Sequence, residues 1–488
     1  MRFRAPASLS GRLRLHLSNL LSFSFLAIFF GLAGVARLAA APPSQGFYLH
    51  PGDRVCFYGD SITEQRFYPA EVETYVLTRF PHLRVRFIDA GVGGDRVTGG
   101  WAGPIDLRLK RDVFPFRPTV VTIMLGMNDA GYRPFDAKLF ATYKNGYRHI
   151  IASLRRHLPG VRIVLLATSP YDDVTQPPTF PGGYNAVLDR YDAFVRRLAK
   201  QDHLLFVDFN APMVRVLRAA WKSHPQLAKQ ILPGRVHPSA AGEMMMAQAL
   251  LKAWGAPALV SSVALDARSG AAARAVKATV AGLRRLPSGG LSWNETERAL
   301  PLPMLALHEN WPQFPAWNLF LPPQPQPNYT SPSAALIDRL SGFTRQLDQE
   351  RLQVSGLADG QYRLAIDGHP IANFSAAQLR RGVNLARYFT PMLLQAYRVN
   401  DLVWEEIEAH FVAWHGIQTA LQGFPKPTWK RHGVVTPRNL PLLSTNDAAA
   451  ARAVSQAMAA MARLQTAIAA RERQASRPRR HQFTLIPQ

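Results

Sequence analysis

The chain holds 488 residues, 47% of them hydrophobic, with one cysteine and a formal net charge of +24. This length suits two domains, because one core rarely grows past about 250–300 residues, and the lone Cys56 excludes an internal disulfide. The positive charge raises the question of nucleic-acid binding, but no zinc spacing, aromatic RNA-binding signature or recognition-helix pattern accompanies it, so no nucleic-acid partner is expected and the charge reads as a solvated basic surface.

Residues 1–41 are unlike the rest. Arg2, Arg4, Arg12 and Arg14 precede an apolar run at 20–35, and Ala39-Ala40-Ala41 follows it. A basic start, an apolar middle and a small-residue end describe a secretory signal peptide. The run is shorter than the ~20 residues that span a bilayer comfortably. Pro42 disfavours cleavage immediately before it, so the segment is either a removed signal peptide or a retained N-terminal anchor giving membrane association. In both cases the protein is expected to be exported: periplasmic, secreted, or anchored at the outer face.

Residues 46–257 read as the first folded domain. Short apolar runs at 54–58, 85–90, 119–125, 162–168 and 204–209 are predicted strands, and amphipathic stretches at 69–79, 137–157 and 186–200 are predicted helices between them. Cys56 lies in the first run and reads as a buried structural thiol. Strand and helix alternating at this spacing imply a parallel sheet covered on both faces, with ligands bound at the strand ends.

After residue 257 the texture changes, and 258–480 reads as a C-terminal mixed β and helical region. Residues 258–321 mix apolar runs with turns, and 321–328 is a proline-rich linker or loop. Residues 351–374 read as short strands joined by Gly-containing turns. Helices are expected at 392–421 and 447–474, with residues from 475 onward mobile or free of pattern. Trp293, Trp311, Trp317, Trp404 and Trp414 could form a sugar platform, but core packing is the simpler reading for aromatics at such spacing.

Four blocks carry the chemistry. Gly59-Asp60-Ser61-Ile62 follows the first predicted strand and opens a helix. Gly91-Val92-Gly93-Gly94-Asp95 follows the second, Gly126-Met127-Asn128-Asp129 the third, and Gly234-Arg235-Val236-His237-Pro238 precedes a helix from 240 to 254 with Ser239 as its N-cap. A serine hydroxyl is a weak nucleophile and needs a base within reach and donors for the oxyanion it creates. Asp60 and Asp129 read as acceptors that organise their loops. Each block alone would be structural; a capping serine, a tight glycine turn and a His-Pro are all commonplace.

Together, in this order and spacing, the blocks resemble the SGNH, or GDSL-type, hydrolase family over residues of about 50–256. The resemblance implies a flavodoxin-like three-layer α/β/α sandwich. It also implies a role for each residue: Ser61 as nucleophile, His237 as base, and an oxyanion hole made by the N–H groups of Ser61 and Gly94 with the Asn128 side chain. No metal or organic cofactor is implied.

One position departs from the family pattern. Where an aspartate three residues before the histidine would orient the imidazole, this chain has Gly234. Three readings stay open: the Gly234 carbonyl or a water takes the imidazole N–H, another carboxylate such as Asp208 or Glu243 reaches in, or catalysis is impaired. The expected function is therefore an exported serine esterase removing small acyl groups, acetyl above all, from carbohydrate or another polar alcohol. The alternative is an SGNH-fold envelope binding or scaffold protein with a decayed site, acting through its C-terminal region.

Overall fold

The computed structural model of the protein describes residues 46–304, 331–418 and 448–488. The N-terminal segment 1–41, the proline-rich stretch 321–328, Trp311 and Trp317 lie outside the described residues. Among the described residues, no helix is long and apolar enough to cross a membrane.

All five predicted strands of the first region form: β1 (Arg54–Gly59), β2 (Arg86–Gly91), β3 (Val120–Met124), β4 (Arg162–Leu166) and β5 (Leu205–Val207). They pair in parallel in the order β2-β1-β3-β4-β5. This is the flavodoxin-like order, whose switch point falls between β1 and β3, where ligands bind beyond the carboxyl ends of the strands. Every residue of β3 is buried, as is every residue of β1 after Arg54. That continuous burial is what apolar runs without alternation produce in a sheet covered on both faces.

The connecting helices are α1 (Ser61–Glu64), α2 (Phe67–Arg79), α3 (Ile105–Asp112), α4 (Ala137–His157), α5 (Tyr184–Gln201), α6 (Asn210–Ser223) and α7 (Ala240–Ala253). Asp136 caps α4 through Lys138 and Leu139 N–H, and Ser239 caps α7 through Gly242 N–H. One expectation fails in kind. The helix expected at 69–79 to have a wet face is α2, and all thirteen of its residues are buried. Its polar residues are covered because a second core packs on its other side: Phe67, Ala70 and Leu77 belong to the C-terminal core, while Tyr68, Val72, Tyr75 and Val76 belong to the first.

The C-terminal region contains β6 (Leu259–Asp266), β7 (Ala271–Val276), β8 (Ala278–Arg285), β9 (Leu291–Glu297), α8 (Pro332–Ser341), α9 (Phe343–Leu347), β10 (Gln349–Ser355), β11 (Gln361–Ile366), β12 (His369–Ser375), α10 (Ala376–Arg381), β13 (Val383–Asn384), α11 (Pro391–Phe411), a π-helical segment Val412–Gln418, α12 (Ala448–Ala475) and β14 (Arg480–Pro487). Two sheets form, in the orders β8-β9-β14-β11-β12 and β13-β10-β6-β7. The last residues are thus not patternless. β14 pairs antiparallel with β9 on one side and β11 on the other, and buries Phe483 and Leu485. Its alternation is short and was obscured by the basic residues just before it. Trp293, Trp404 and Trp414 are buried core residues, not an exposed platform.

The two regions interlock through α2. Arg79 forms a 3.0 Å pair with Asp348, with both side chains almost wholly buried. Asn400 Nδ2 donates to Thr74 Oγ1 at 3.0 Å, and Phe67 meets Trp404 edge to face. In the last turn of α11, His410 Nε2 lies 3.0 Å from the Asp89 carbonyl oxygen, and beyond it Trp414 Nε1 donates to Asp112 Oδ1 at 2.6 Å. The C-terminal region therefore reaches β2 and the end of α3.

Candidate active site

Ser61 starts α1 directly after β1, the central strand of the switch point. Asp60 caps that turn, its Oδ1 accepting from Ile62 N–H at 3.1 Å, as expected of a loop-organising acceptor. First-turn N–H groups have no intrahelical acceptor, so the helix itself does not consume the Ser61 N–H. His237 arrives on the loop before α7, and its Nε2 lies 2.8 Å from Ser61 Oγ. That loop is braced at several points: Ser239 N–H donates to the Ile231 carbonyl (3.0 Å), Asp172 N–H to the Arg235 carbonyl (2.9 Å) and Gln65 Nε2 to the Pro238 carbonyl (3.2 Å). The last bond ties the histidine loop to the end of the serine's own helix. Burial holds the imidazole below its ordinary value, and the Glu64 carboxylate opposes that shift. The histidine is accordingly neutral, and able to accept a proton, at neutral pH.

The glycine turn after β2 lies on the other side of Ser61. Helix α1 passes so close to Gly91 that a Cβ there would lie 2.3 Å from Glu64 N, which only glycine avoids. Gly94 has φ +75°, a left-handed conformation suited to glycine. The turn's own hydrogen bond uses Asp95 N–H and Val92 O, not the Gly94 N–H. The turn is anchored from below by Arg108, fully buried, which donates Nε to Asp95 Oδ2 at 2.7 Å and Nη2 to the Ala90 carbonyl at 2.7 Å, and also pairs with Asp112. Asp129 Oδ1 accepts from Val97 N–H at 2.9 Å, again a loop-organising role.

Asn128 lies just beyond β3. Its Nδ2 donates to the Asp95 carbonyl at 3.1 Å and sits 3.5 Å from Asp60 Oδ2, and its Oδ1 accepts from Tyr132 O–H at 2.9 Å. The Asp95 carbonyl, which can only accept, fixes which end of the amide is the donor. The long contact to Asp60 is the weaker of the two, so it is the one an oxyanion would replace. Burial pushes the Asp60 carboxyl up to about 8, which keeps negative charge off this side of the site near neutral pH. Ser61, Gly94, Asn128 and His237 are thus gathered at one edge of the sheet.

Gly234 is exposed, and a Cβ built on it meets nothing within 4 Å. Of the carboxylates considered as substitutes, Asp208 is engaged with Arg196 (2.6 Å) and the Ala211 N–H, and Glu243 accepts from Tyr68 N–H (2.8 Å). Among the described residues, Glu64, one turn after Ser61 on α1, is the carboxylate whose charge opposes the burial shift of His237. Its spacing from the serine was a usable sequence signal that the motif reading passed over. Tyr132 and the C-terminal His415, which lies 3.1 Å from Glu64 Oε1, carried no comparable signal. Among the described residues, no cluster of histidine, cysteine or carboxylate side chains is arranged to hold a metal ion.

The GDSL-like Lipase/Acylhydrolase family matches residues 57–244, a span containing the serine, the glycine turn, the asparagine and the histidine. Residues 57–244 are a GDSL-like lipase/acylhydrolase domain. An acetylxylan esterase of Geobacillus stearothermophilus is 28% identical to the chain over 223 residues, which covers 42% of this chain and 94% of that protein. A solved structure described as a gut microbial diltiazem-metabolizing enzyme is 25% identical, with a TM-score of 0.71 covering 90% of this chain and 98% of that one. That similarity extends well beyond the GDSL-like domain, so the C-terminal sheets and helices belong to an architecture seen elsewhere. The domain and its relatives support an ester-hydrolysing enzyme.

Proposed function

We propose that the protein is an exported serine esterase that removes small acyl groups, acetyl in particular, from carbohydrate or another polar alcohol through an acyl-enzyme. The observation that carries this reading is the 2.8 Å contact between His237 Nε2 and Ser61 Oγ, kept although position 234 has no side chain. A decayed site would be under no constraint to hold that pair in reach.

The chemistry follows from the placement. His237 takes the Ser61 proton as Oγ bonds to the ester carbonyl carbon. The carbonyl oxygen becomes an oxyanion facing the N–H groups of Ser61 and Gly94 and the Asn128 amide. Collapse breaks the bond to the alcohol, which leaves with the proton from His237. Water then repeats the sequence on the acyl-serine, and acetate or its homologue departs. The exposed ring of Tyr132, stacked at 5.0 Å on Tyr184 beside Asn128, offers an apolar face of the kind that sugar rings pack against.

The acetyl and carbohydrate parts are supported by the acetylxylan esterase relative, and export by the character of residues 1–41. Residues 46–257 would then be the catalytic unit, with 258–480 shaping it. Gly234 favours the second reading, an impaired hydrolase fold kept for binding at the cell envelope. Rates on a small chromogenic acetate ester separate the two. Ser61→Ala is expected to lose on the order of 10³-fold or more in kcat; equal, background-level rates in wild type and Ser61→Ala would sink the esterase reading.

A further inference from the structure

Glu64 has no part in the mechanism above, yet three features of the site converge on it. Its carboxylate and the Ser61 side chain meet over the same glycine: a methyl group placed on Gly93 would lie 2.9 Å from Glu64 Oε2 and 3.9 Å from Ser61 Cβ. Its side chain is only 15% exposed, so water screens its field incompletely. It is also held from outside the GDSL-like domain, by His415 on the π-helical segment, whose Nε2 is 3.1 Å from Glu64 Oε1.

His415 is itself fixed in place. Its ring stacks on Phe411 at 4.6 Å and meets Trp101 at 5.4 Å, and Trp101 Nε1 donates to the Gly93 carbonyl at 2.7 Å. Phe411 lies beneath the Arg66 guanidinium at 4.3 Å. Arg66 pairs with Glu408 at 2.7 Å and donates Nε to the Glu64 carbonyl oxygen at 3.1 Å. Glu408, Phe411 and His415, on successive turns, thus grip the end of the helix that carries the nucleophile.

We propose that Glu64, held by His415 of the C-terminal region, is the positioning residue that supplies His237 with the negative charge absent at position 234. The proposal rests on Ser61 and His237 being nucleophile and base. In a serine–histidine–aspartate triad the carboxylate both selects the tautomer and stabilises the imidazolium. Glu64 approaches from the serine side and does the second of these through space, as the Ser61 proton arrives at His237.

Among the described residues, the neighbouring charges leave it that role. Burial pushes Asp60 up to about 8 and Asp89 up to about 7, so both hold protons toward neutral pH. Asp95 is paired with the buried Arg108. Arg66 is engaged by Glu408, and Arg235, beside the histidine, faces Asp173 at 3.7 Å.

The test compares wild type, Ser61→Ala, Glu64→Gln, His415→Gln and Glu64→Gln/Gly234→Asp on the acetate ester as a function of pH. In parallel, NMR of 13C-labelled histidine follows the His237 titration directly, assigned with His237→Gln. A nearby carboxylate raises a histidine's pKa, so removing it must move the titration to lower pH. Glu64→Gln is expected to lower kcat about 10-fold with KM changed less than about twofold, and to shift both the acid limb of the rate profile and the NMR titration downward. His415→Gln should shift both in the same direction by less. Gly234→Asp, for which there is room, should restore much of the rate in the Glu64→Gln background. An unmoved His237 titration, or a wild-type kcat, in Glu64→Gln overturns the inference while leaving the Ser61 reading intact. Wild type no faster than Ser61→Ala overturns the Ser61 reading, and this inference falls with it.

Discussion

The α/β unit and the C-terminal sandwich meet on α2 but are closed in different ways. In the α/β unit the strands β1 to β5 enter the sheet from consecutive stretches of chain, each linked to the next through helices, and the sheet is complete by Val207, although Leu302, Leu336, Ile337, Phe343 and Leu347 also pack into its core. In the sandwich, β9 has to wait for β14, which arrives about 190 residues later as the last eight-residue strand. The first is a succession of local crossovers; the second is completed only when the far end of the chain returns. Since α2 lies in both cores, a failure in the second is transmitted to the helix next to the one that carries Ser61.

The largest effect should come from deleting residues 480–488. This removes a central strand with partners on both sides and uncovers Trp293, which stacks on Phe483 at 5.1 Å, together with Leu364. We expect the variant to be insoluble or to lose cooperative unfolding, as followed by circular dichroism. Retention of a cooperative transition and full esterase activity would show that the sandwich is dispensable to the hydrolase.

A smaller cut tests the junction itself. Arg79→Ala leaves Asp348 buried without its partner, and such losses cost about 3–5 kcal/mol. Denaturant unfolding should show a lower midpoint of that order. The double variant Arg79→Met/Asp348→Leu should recover most of it, because an apolar pair leaves no stranded charge. A single variant as stable as wild type would mean that the junction contributes little to holding the two cores together.

The same contrast explains what could be read from the chain. The α/β unit announces itself because each strand is a short, continuous apolar run and each helix keeps a 3.6-residue period; α4 falls where its pattern places it, from Ala137 to His157. The site residues were visible as motifs because Ser61, Gly94, Asn128 and His237 lie on loops at strand ends or just before a helix, with glycine spacing dictated by the close passage of α1 over Gly91. α2 misled because its composition is that of an amphipathic helix, and nothing local reveals a second core on its polar side. β14 was hidden because its alternation is short and follows basic residues, and pairing with strands more than a hundred residues back leaves no trace in a local window. His415 was illegible for that reason too: it lies 351 residues from the glutamate it contacts, on a segment whose docking depends on tertiary packing.

The smallest predicted effect concerns the pH dependence of stability at the junction. Glu73 on α2 and Glu472 on α12 are buried, with the half-buried Glu406 of α11 beside them, and desolvation raises all three, Glu406 to about 7 and Glu472 to about 8. In the unfolded chain these carboxyls titrate near their ordinary value of about 4.3. Between that value and about 8, the folded state therefore binds more protons than the unfolded state. Stability must fall as pH rises through this window, and the contribution is fully present only below it. Glu472→Gln removes one of these groups and relieves repulsion from Glu406. Urea midpoints measured at pH 6 and at pH 8 should differ less in the variant than in wild type, corresponding to about one proton fewer released on unfolding. The direction is set by the two cores being pressed together: carboxyls on α2, α11 and α12 keep their protons because each region seals the other's surface. Equal pH slopes in the two proteins would show that water reaches this junction, and that the α/β unit and the sandwich are less closely joined than α2 implies.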